Sequence, residues 1–373
     1  MKTRIILYAS IFVLLTLILL IGGHFILYVF FVNTYNLYHS LLRVVLAIVF
    51  GIFSVGYILA SIIARWSDNL ITRTFYVASA VWLGLIWYVA ISAALSLICF
   101  ALFNFFGVAV SQSLVETFFL SCAIGYTVYG LWGAYALRVK KINIQIQNLP
   151  DAWNGKSVIQ ISDVHLGHVH GDRFFSTVIS LVTQQSPDAV FITGDLFDGM
   201  GGDFRYIVKD INRIKAPLGV FYIKGNHETY MDFSVVESLI QKTKILFLHD
   251  DIRVVQGMQI VGADYPKFGA KRELKYLVSR VDPTLPSILL WHEPVDIETA
   301  KQAGISLVLS GHTHRGQMFP FELIARWVYK RYVYGLVVDG FFNHYTSSGV
   351  GTWGPPIRTG NRPEIVHITL HAA

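Results

Sequence analysis

The chain has 373 residues, 54% of them hydrophobic and only 14% charged, with a mean hydropathy of +0.51. That balance excludes a protein soluble along its whole length and leaves room for a membrane part plus one soluble domain. The net charge of +6 comes without a Lys/Arg run interleaved with stacking aromatics, so no nucleic-acid partner is expected. Cys99 and Cys122, the two cysteines, fall in apolar stretches and offer neither a zinc cluster nor a disulfide framework.

Lys2 and Arg4 precede an apolar run through Val32, too long for the core of a signal peptide, which reads as a first transmembrane helix. Residues 33–40 form a polar, aromatic loop, and residues 41–63 a second span. Arg65, Asp68, Asn69 and Arg73 mark a charged loop. The uncharged stretch 74–115 exceeds the roughly 20 residues that one span needs. The third helix is expected near residues 75–100, with 104–116 as a connection. The fourth is expected over 117–137, stopped by Arg138, Lys140 and Lys141. Positive charge at the N-terminus, after span two and after span four puts both termini in the cytoplasm. A fifth full crossing inside 74–115 would reverse that orientation. The expected division is a membrane domain of about four transmembrane helices over residues 1–141 and a soluble domain over 142–373.

Residues 142–153 alternate apolar and polar and read as an edge strand. Beyond them, apolar runs of strand length alternate with helix-like spacing over 174–185, 204–214, 235–242, 273–281 and 295–303. Residues 250–262 read as a hairpin turning at Gln256-Gly257. Five apolar runs end in polar residues. They lead into Asp163 and His165, Gly194-Asp195, Gly225-Asn226-His227-Glu228, His292-Glu293, and Gly311-His312-Thr313-His314. In open α/β sheets functional groups collect beyond the carboxyl ends of the strands. The donors gathered there are nitrogens and oxygens suited to divalent cations, and too many for one ion. Residues 319–332 mix apolar, aromatic and basic side chains at helical spacing. They fit a helix packed on its own domain or one lying on a bilayer.

This set of five blocks, in this order, resembles the calcineurin-like metallophosphoesterase family over roughly residues 150–370. The tail around Ser347-Ser348-Gly349, Pro356-Ile357-Arg358 and Arg362-Pro363-Glu364 is similar to the bacterial membrane-anchored branch. The resemblance implies an α/β/β/α sandwich carrying two divalent metal ions, behind the N-terminal transmembrane α-helical bundle. Manganese, iron, zinc or nickel would each suit mixed His/Asp/Asn ligands. It implies Asp163, His165 and His314 on one ion, Asn226, His292 and His312 on the other, and Asp195 bridging them together with a hydroxide nucleophile. His227 is implied as general acid or oxyanion stabiliser. Arg315 stands where that branch commonly has glycine, either gripping phosphate or pointing outward. His168, His170 and His249 are expected in solvated loops.

The expected activity is hydrolysis of a phosphodiester or pyrophosphate bond, with a lipid or lipid-linked compound among the candidate substrates. The expected setting is a bacterial inner membrane with the catalytic domain on the cytoplasmic side. The competing expectation is a metal-binding regulatory or scaffold domain, without turnover, on a membrane sensor or transport bundle.

Overall fold

Apolar segments of spanning length dominate the first third of the chain, and each forms a helix: α1 (Lys2–Thr34), α2 (Leu41–Ala64), α3 (Leu70–Phe105) and α4 (Gln112–Tyr135). All four are long and apolar enough to cross a membrane. The structure is a computed structural model that describes residues 2–266 and 274–373, apart from the side chains of residues 2–10 and 12. The chain divides into two compact units, residues 1–129 and 130–373.

In the first unit the soluble packing pattern is inverted. Buried positions are largely small or hydroxylic, including Ser54, Gly56, Ala60, Ser79, Ala80, Gly84, Ser92, Ala93 and Ser96. Large apolar side chains such as Leu19, Leu41 and Ile71 face outward. Hydrocarbon surroundings favour this arrangement, because helices there gain most by close approach through small residues. A smaller apolar cluster of Leu27, Phe31, Phe50, Ile86, Val89 and Ala93 fills the rest.

The third and fourth helices differ from expectation at both ends, running over Leu70–Phe105 and Gln112–Tyr135. The third helix starts earlier because Asn69 Oδ1 accepts hydrogen bonds from the Ile71 and Thr72 amides, an N-cap. The fourth starts at Gln112 rather than 117, with Ser111 Oγ accepting from Leu114 N at 3.2 Å. Glu116 therefore lies inside α4, buried, where its carboxylate accepts from the Ser96 hydroxyl.

The second unit is a sandwich of two six-stranded sheets. Its strands are β1 (Arg138–Ile146), β2 (Ser157–Ile161), β3 (Ala189–Thr193), β4 (Gly219–Ile223), β5 (Ile245–Phe247), β6 (Asp251–Val255), β7 (Met258–Ala263), β8 (Ser287–Trp291), β9 (Leu307–Ser310), β10 (Gly335–Asp339), β11 (Phe342–Thr346) and β12 (Glu364–Ala372). One sheet has the order β1-β12-β2-β3-β4-β5, the other β10-β11-β9-β8-β7-β6. Helices α5 (Asp172–Gln184), α6 (Tyr206–Arg213) and α7 (Phe233–Ile240) cover the outer face of the first. Helices α8 (Leu274–Val278) and α9 (Ile297–Gln302) cover the second. The expected helix over 273–281 is α8, with Glu273 outside the described residues. A last helix, α10 (Phe321–Tyr329), follows the final motif block.

The five strands that carry motif blocks are β2, β3, β4, β8 and β9. They lie parallel within their sheets, so their carboxyl ends open on one edge. The expected hairpin is β6–β7, turning where Gln256 (φ 48°) and Gly257 (φ 82°) take the left-handed conformations of a two-residue loop. The edge strand starts at Arg138, earlier than expected, because β12 pairs in parallel with it from Arg138↔Glu364 onward. Between the sheets lies a dry core of Ile144, Ile146, Trp153, Phe191, Phe221, Ile260, Leu290, Leu309 and Ile368. Trp153 is fully buried there and donates from Nε1 to the Val255 carbonyl at 2.9 Å. Trp153→Ala removes that bond and leaves a cavity, at a cost of about 3–5 kcal/mol. Thermal unfolding followed by circular dichroism should show a melting temperature about 10 °C lower.

Candidate metal centre

Five of the seven candidate ligands leave their strands through a backbone that L-residues seldom adopt. Asp163 (φ 52°), His165 (φ 51°), Asp195 (φ 49°), His312 (φ 69°) and His314 (φ 46°) are all left-handed. Such conformations cost of order 1–3 kcal/mol each and gather at functional sites. Close approach adds a second demand. A Cβ at Gly225 would lie 2.2 Å from Asp195 Oδ1, and one at Gly311 would lie 1.9 Å from Ser162 Oγ. Glycine at 225 lets neighbouring loops of one sheet close on Asp195, and glycine at 311 lets the strand ends of the two sheets meet.

The donors fall into two groups that share Asp195. His165 Nε2 lies 3.0 Å from His314 Nε2, which is 3.4 Å from Asp163 Oδ1. On the other side, His292 Nε2 is 3.1 Å from Asp195 Oδ2 and 3.2 Å from Asn226 Oδ1. The Asn226 oxygen also lies 2.9 Å from His312 Nδ1. Asp195 Oδ2 reaches back to within 3.8 Å of His165 Nε2. The structure thus brings together Asp163, His165, Asp195, Asn226, His292, His312 and His314, all buried except His312, which is partly so. Imidazole nitrogens turned on one another and on carboxylate oxygens in a buried space fit cations, since lone pairs would otherwise face lone pairs.

The electrostatics agree with a cation site. Burial pushes His312 down to about 3, and the neighbouring His292 adds to the effect. Burial, with His165 and Arg358, also holds His314 well below its usual value, so both rings are neutral and offer lone pairs. Burial pulls His292 the same way, but the Asp195 carboxylate outweighs it and raises the ring to about 10. Asp195 resists burial through His292 and His227 and sits well below the usual carboxylate range. Burial raises Asp163. A divalent ion would take the place of the proton that Asp195 favours on His292.

His227 stands beside this cluster with its ring 4.5 Å from that of His165. Its Nδ1 donates to the Asp198 carbonyl at 2.8 Å, and its amide donates to Asp195 Oδ1 at 2.9 Å. Burial lowers its pKa, but the charges of Asp195 and Asp198 outweigh this and leave it raised. Arg315 pairs with Glu322 at 3.1 Å and stacks 4.7 Å from the Tyr334 ring. Two histidines expected in solvent are not there. His168 and His170 are buried, and His170 stacks on Phe174 at 4.1 Å and meets Thr352 Oγ1 at 2.9 Å. The loop that carries them folds back under the site, pairing Gly167 N with the His170 carbonyl at 2.9 Å. His249 is largely exposed and pairs with Asp264.

Several supporting residues escape sequence reasoning. Glu228 is buried and accepts from the amides of Gly225 (2.7 Å), Phe197 (3.0 Å) and Asp195 (3.1 Å), tying two motif loops together. Burial, then repulsion by Asp195, raises it to about 7. Asp198 lies 3.4 Å from His165 Nδ1 and 3.6 Å from His227 Nδ1. Arg358 is buried and donates to the carbonyls of Ser348 (2.8 Å) and Gly351 (2.6 Å), with Nη2 3.2 Å from His314 Nδ1. The loop it holds wraps Asp163, whose carbonyl accepts from Gly351 N at 2.7 Å. A signal existed for Glu228 and Asp198, since each follows a motif residue within three positions. For Arg358 the tail motif was visible and its burial was not.

A two-sheet sandwich with a candidate cation site at its strand ends defines an α/β protein with a metal-binding centre. Residues 156–316 match the family described as Calcineurin-like phosphoesterase. The chain is 31% identical over 260 residues to a metallophosphoesterase of Helicobacter pylori, an overlap of 68% of this chain and 69% of that one. A metallophosphoesterase of Aquifex aeolicus is 30% identical over 263 residues, 68% of this chain and 98% of its own. A Bos taurus protein named "Transmembrane protein with metallophosphoesterase domain" is 30% identical over 256 residues, 63% of this chain and 57% of its own. The chain belongs to the calcineurin-like metallophosphoesterase family.

Removing the Glu228 carboxylate leaves three amides without an acceptor, each unsatisfied group costing about 1–3 kcal/mol. Glu228→Ala should therefore melt roughly 10 °C lower and bind manganese more weakly, measured by calorimetry of the purified protein.

Proposed function

We propose that this chain is a membrane-bound, binuclear-metal phosphoesterase that hydrolyses a phosphodiester or pyrophosphate bond in a lipid or lipid-linked substrate. The observation that carries this reading is the Asp195 carboxylate standing between the two donor groups, with Oδ2 3.1 Å from His292 Nε2 and 3.8 Å from His165 Nε2. Asp163, His165 and His314 would hold one cation, and Asn226, His292 and His312 the other. When bound, two divalent cations supply Lewis acidity toward phosphate oxygens and a water-derived nucleophile at neutral pH. Neutral Asn226 and the imidazoles keep the site cationic overall, which draws in phosphate. His227 is suited to protonate the leaving oxygen, because the Asp198 carbonyl occupies its Nδ1–H and leaves Nε2 to carry the proton. Arg315 would reach substrate by exchanging Glu322 for a phosphate oxygen. Charged residues at the N-terminus, between α2 and α3, and after α4 support a cytoplasmic catalytic unit in a bacterial inner membrane.

Turnover by the detergent-solubilised protein tests this, with Mn²⁺ or chelator, on bis-p-nitrophenyl phosphate, p-nitrophenyl phosphate and a lipid-linked pyrophosphate. Metal-dependent hydrolysis should fall at least about 1,000-fold in Asp195→Ala. A folded, metal-loaded protein without turnover on any of the three would instead mark a scaffold.

The His227 assignment has its own pH signature. A general acid works while protonated, so its activity is present at low pH and is lost as pH rises through its raised pKa. The alkaline limb of kcat should lie above the ordinary histidine value of about 6.5. Asp198→Asn removes one raising charge and should move that limb downward, while His227→Ala should lower kcat about 100-fold or more with metal content unchanged.

A further inference from the structure

Helix α10 is turned the wrong way round for a helix in water. Leu323, Ile324, Trp327 and Val328 form one apolar stripe and are 60%, 57%, 81% and 51% exposed. Its polar side chains point the other way. Glu322 accepts from Arg315 and Arg326, and the Tyr329 hydroxyl donates to Glu293 Oε1 at 3.2 Å. No residue of the helix is buried. An apolar stripe of this kind in a water-soluble domain would normally face the core.

Two further observations name what covers it. Residues 319–332 carry three exposed basic side chains, Arg326, Lys330 and Arg331, against one acidic, Glu322; Arg326 pairs with Glu322, and Arg331 pairs at the surface with Asp339 at 3.2 Å. That balance suits a negatively charged surface. The helix is also built, within the same compact unit, onto the last turns of α4. Arg358 N donates to the Gly130 carbonyl at 2.8 Å, and Arg362 stacks 5.6 Å from the Trp132 ring. Between them, Thr359 Oγ1 accepts from Phe319 N at 2.9 Å, just ahead of α10. Trp132 and Tyr135 are exposed at the end of this apolar helix, as aromatics are where a span leaves the hydrocarbon. One short loop therefore joins the amphipathic helix to the exit of a candidate span.

We propose that α10 lies in the headgroup layer of an anionic membrane. Leu323, Ile324, Trp327 and Val328 enter the acyl boundary, and Lys330 and Arg331 at the end of the helix meet lipid phosphates. The inner face of the helix is a wall of the metal site, since Glu293, which Tyr329 holds, lies 3.8 Å from His312 Nε2. Seating α10 thus sets the cations at the depth of the phosphates of membrane lipids. This consequence for substrate rests on the function proposed above, whereas the seating itself does not.

The seating is read without any enzymatic assay. The full chain, in a Cys99→Ser, Cys122→Ser background, carries Ile324→Cys or Trp327→Cys with a nitroxide label. It is reconstituted in vesicles of phosphatidylcholine and phosphatidylglycerol. Collision with oxygen should exceed collision with a water-soluble nickel chelate at both positions. Dominant collision with the chelate, or shielding from both reagents as a second copy of the chain would produce, overturns the proposal. A kinetic arm tests the link to substrate separately. In Leu323→Asp/Trp327→Asp the ratio of turnover on vesicle-borne lipid to turnover on bis-p-nitrophenyl phosphate should fall about tenfold. An unchanged ratio would overturn the role of the helix in presenting lipid.

Discussion

Repulsion between donors is the constraint that shapes the catalytic unit. Four imidazoles, two carboxylates and an amide oxygen crowd a buried space in which two Nε2 atoms stand 3.0 Å apart. Apart from the attraction between Asp195 and His292, such a cluster has little to stabilise it, because desolvated lone pairs and like charges oppose it. The fold has to impose the arrangement. It does so with two sheets whose strand ends meet, a core packed between them, and backbone bends into left-handed conformations at the motif residues. A cation bound there would offset what the fold imposes, and strain, glycine and donors coincide at one edge.

The surrounding hydrogen bonds show how the imposed geometry is held. Glu228 gathers three amides from two motif loops, Asp198 contacts two of the histidines, and Arg358 clamps the loop around Asp163. These side chains do not add donors to the cluster. They fix the angles of those that do, as supporting groups around metal ligands generally do. The C-terminal strand closes the design, since β12 enters between β1 and β2 and its first residue, buried Glu364, accepts hydroxyl protons from Tyr334 and Tyr345 at 2.8 Å each.

Apolar surface is arranged in opposite ways in different parts of the chain. The sandwich hides large apolar side chains between its sheets, as water requires. In the helical unit and along α10 they face outward, while small or polar residues face in. The same physical rule gives both results once the surroundings change from water to lipid. Membrane character is thus a matter of which way a stripe points, and not of hydrophobic content alone.

Much of this was legible in the chain, because it depends on neighbours in sequence. Four candidate spans follow from runs without charge, and the motif-bearing strands from short apolar runs ending in Asp, Asn or His, since a strand delivers whatever follows its last residue. The order of those blocks pointed to the family before any coordinates. Tertiary structure decided what depends on distant partners. The last strand, β12, and its place between β1 and β2 came only from the fold. The burial of His168 and His170, the inclusion of Glu116 within α4, the three amides on Glu228 and the outward stripe of α10 likewise needed the fold. Each turns on which side of an element meets another, and a periodic pattern states that a face exists without stating what it faces.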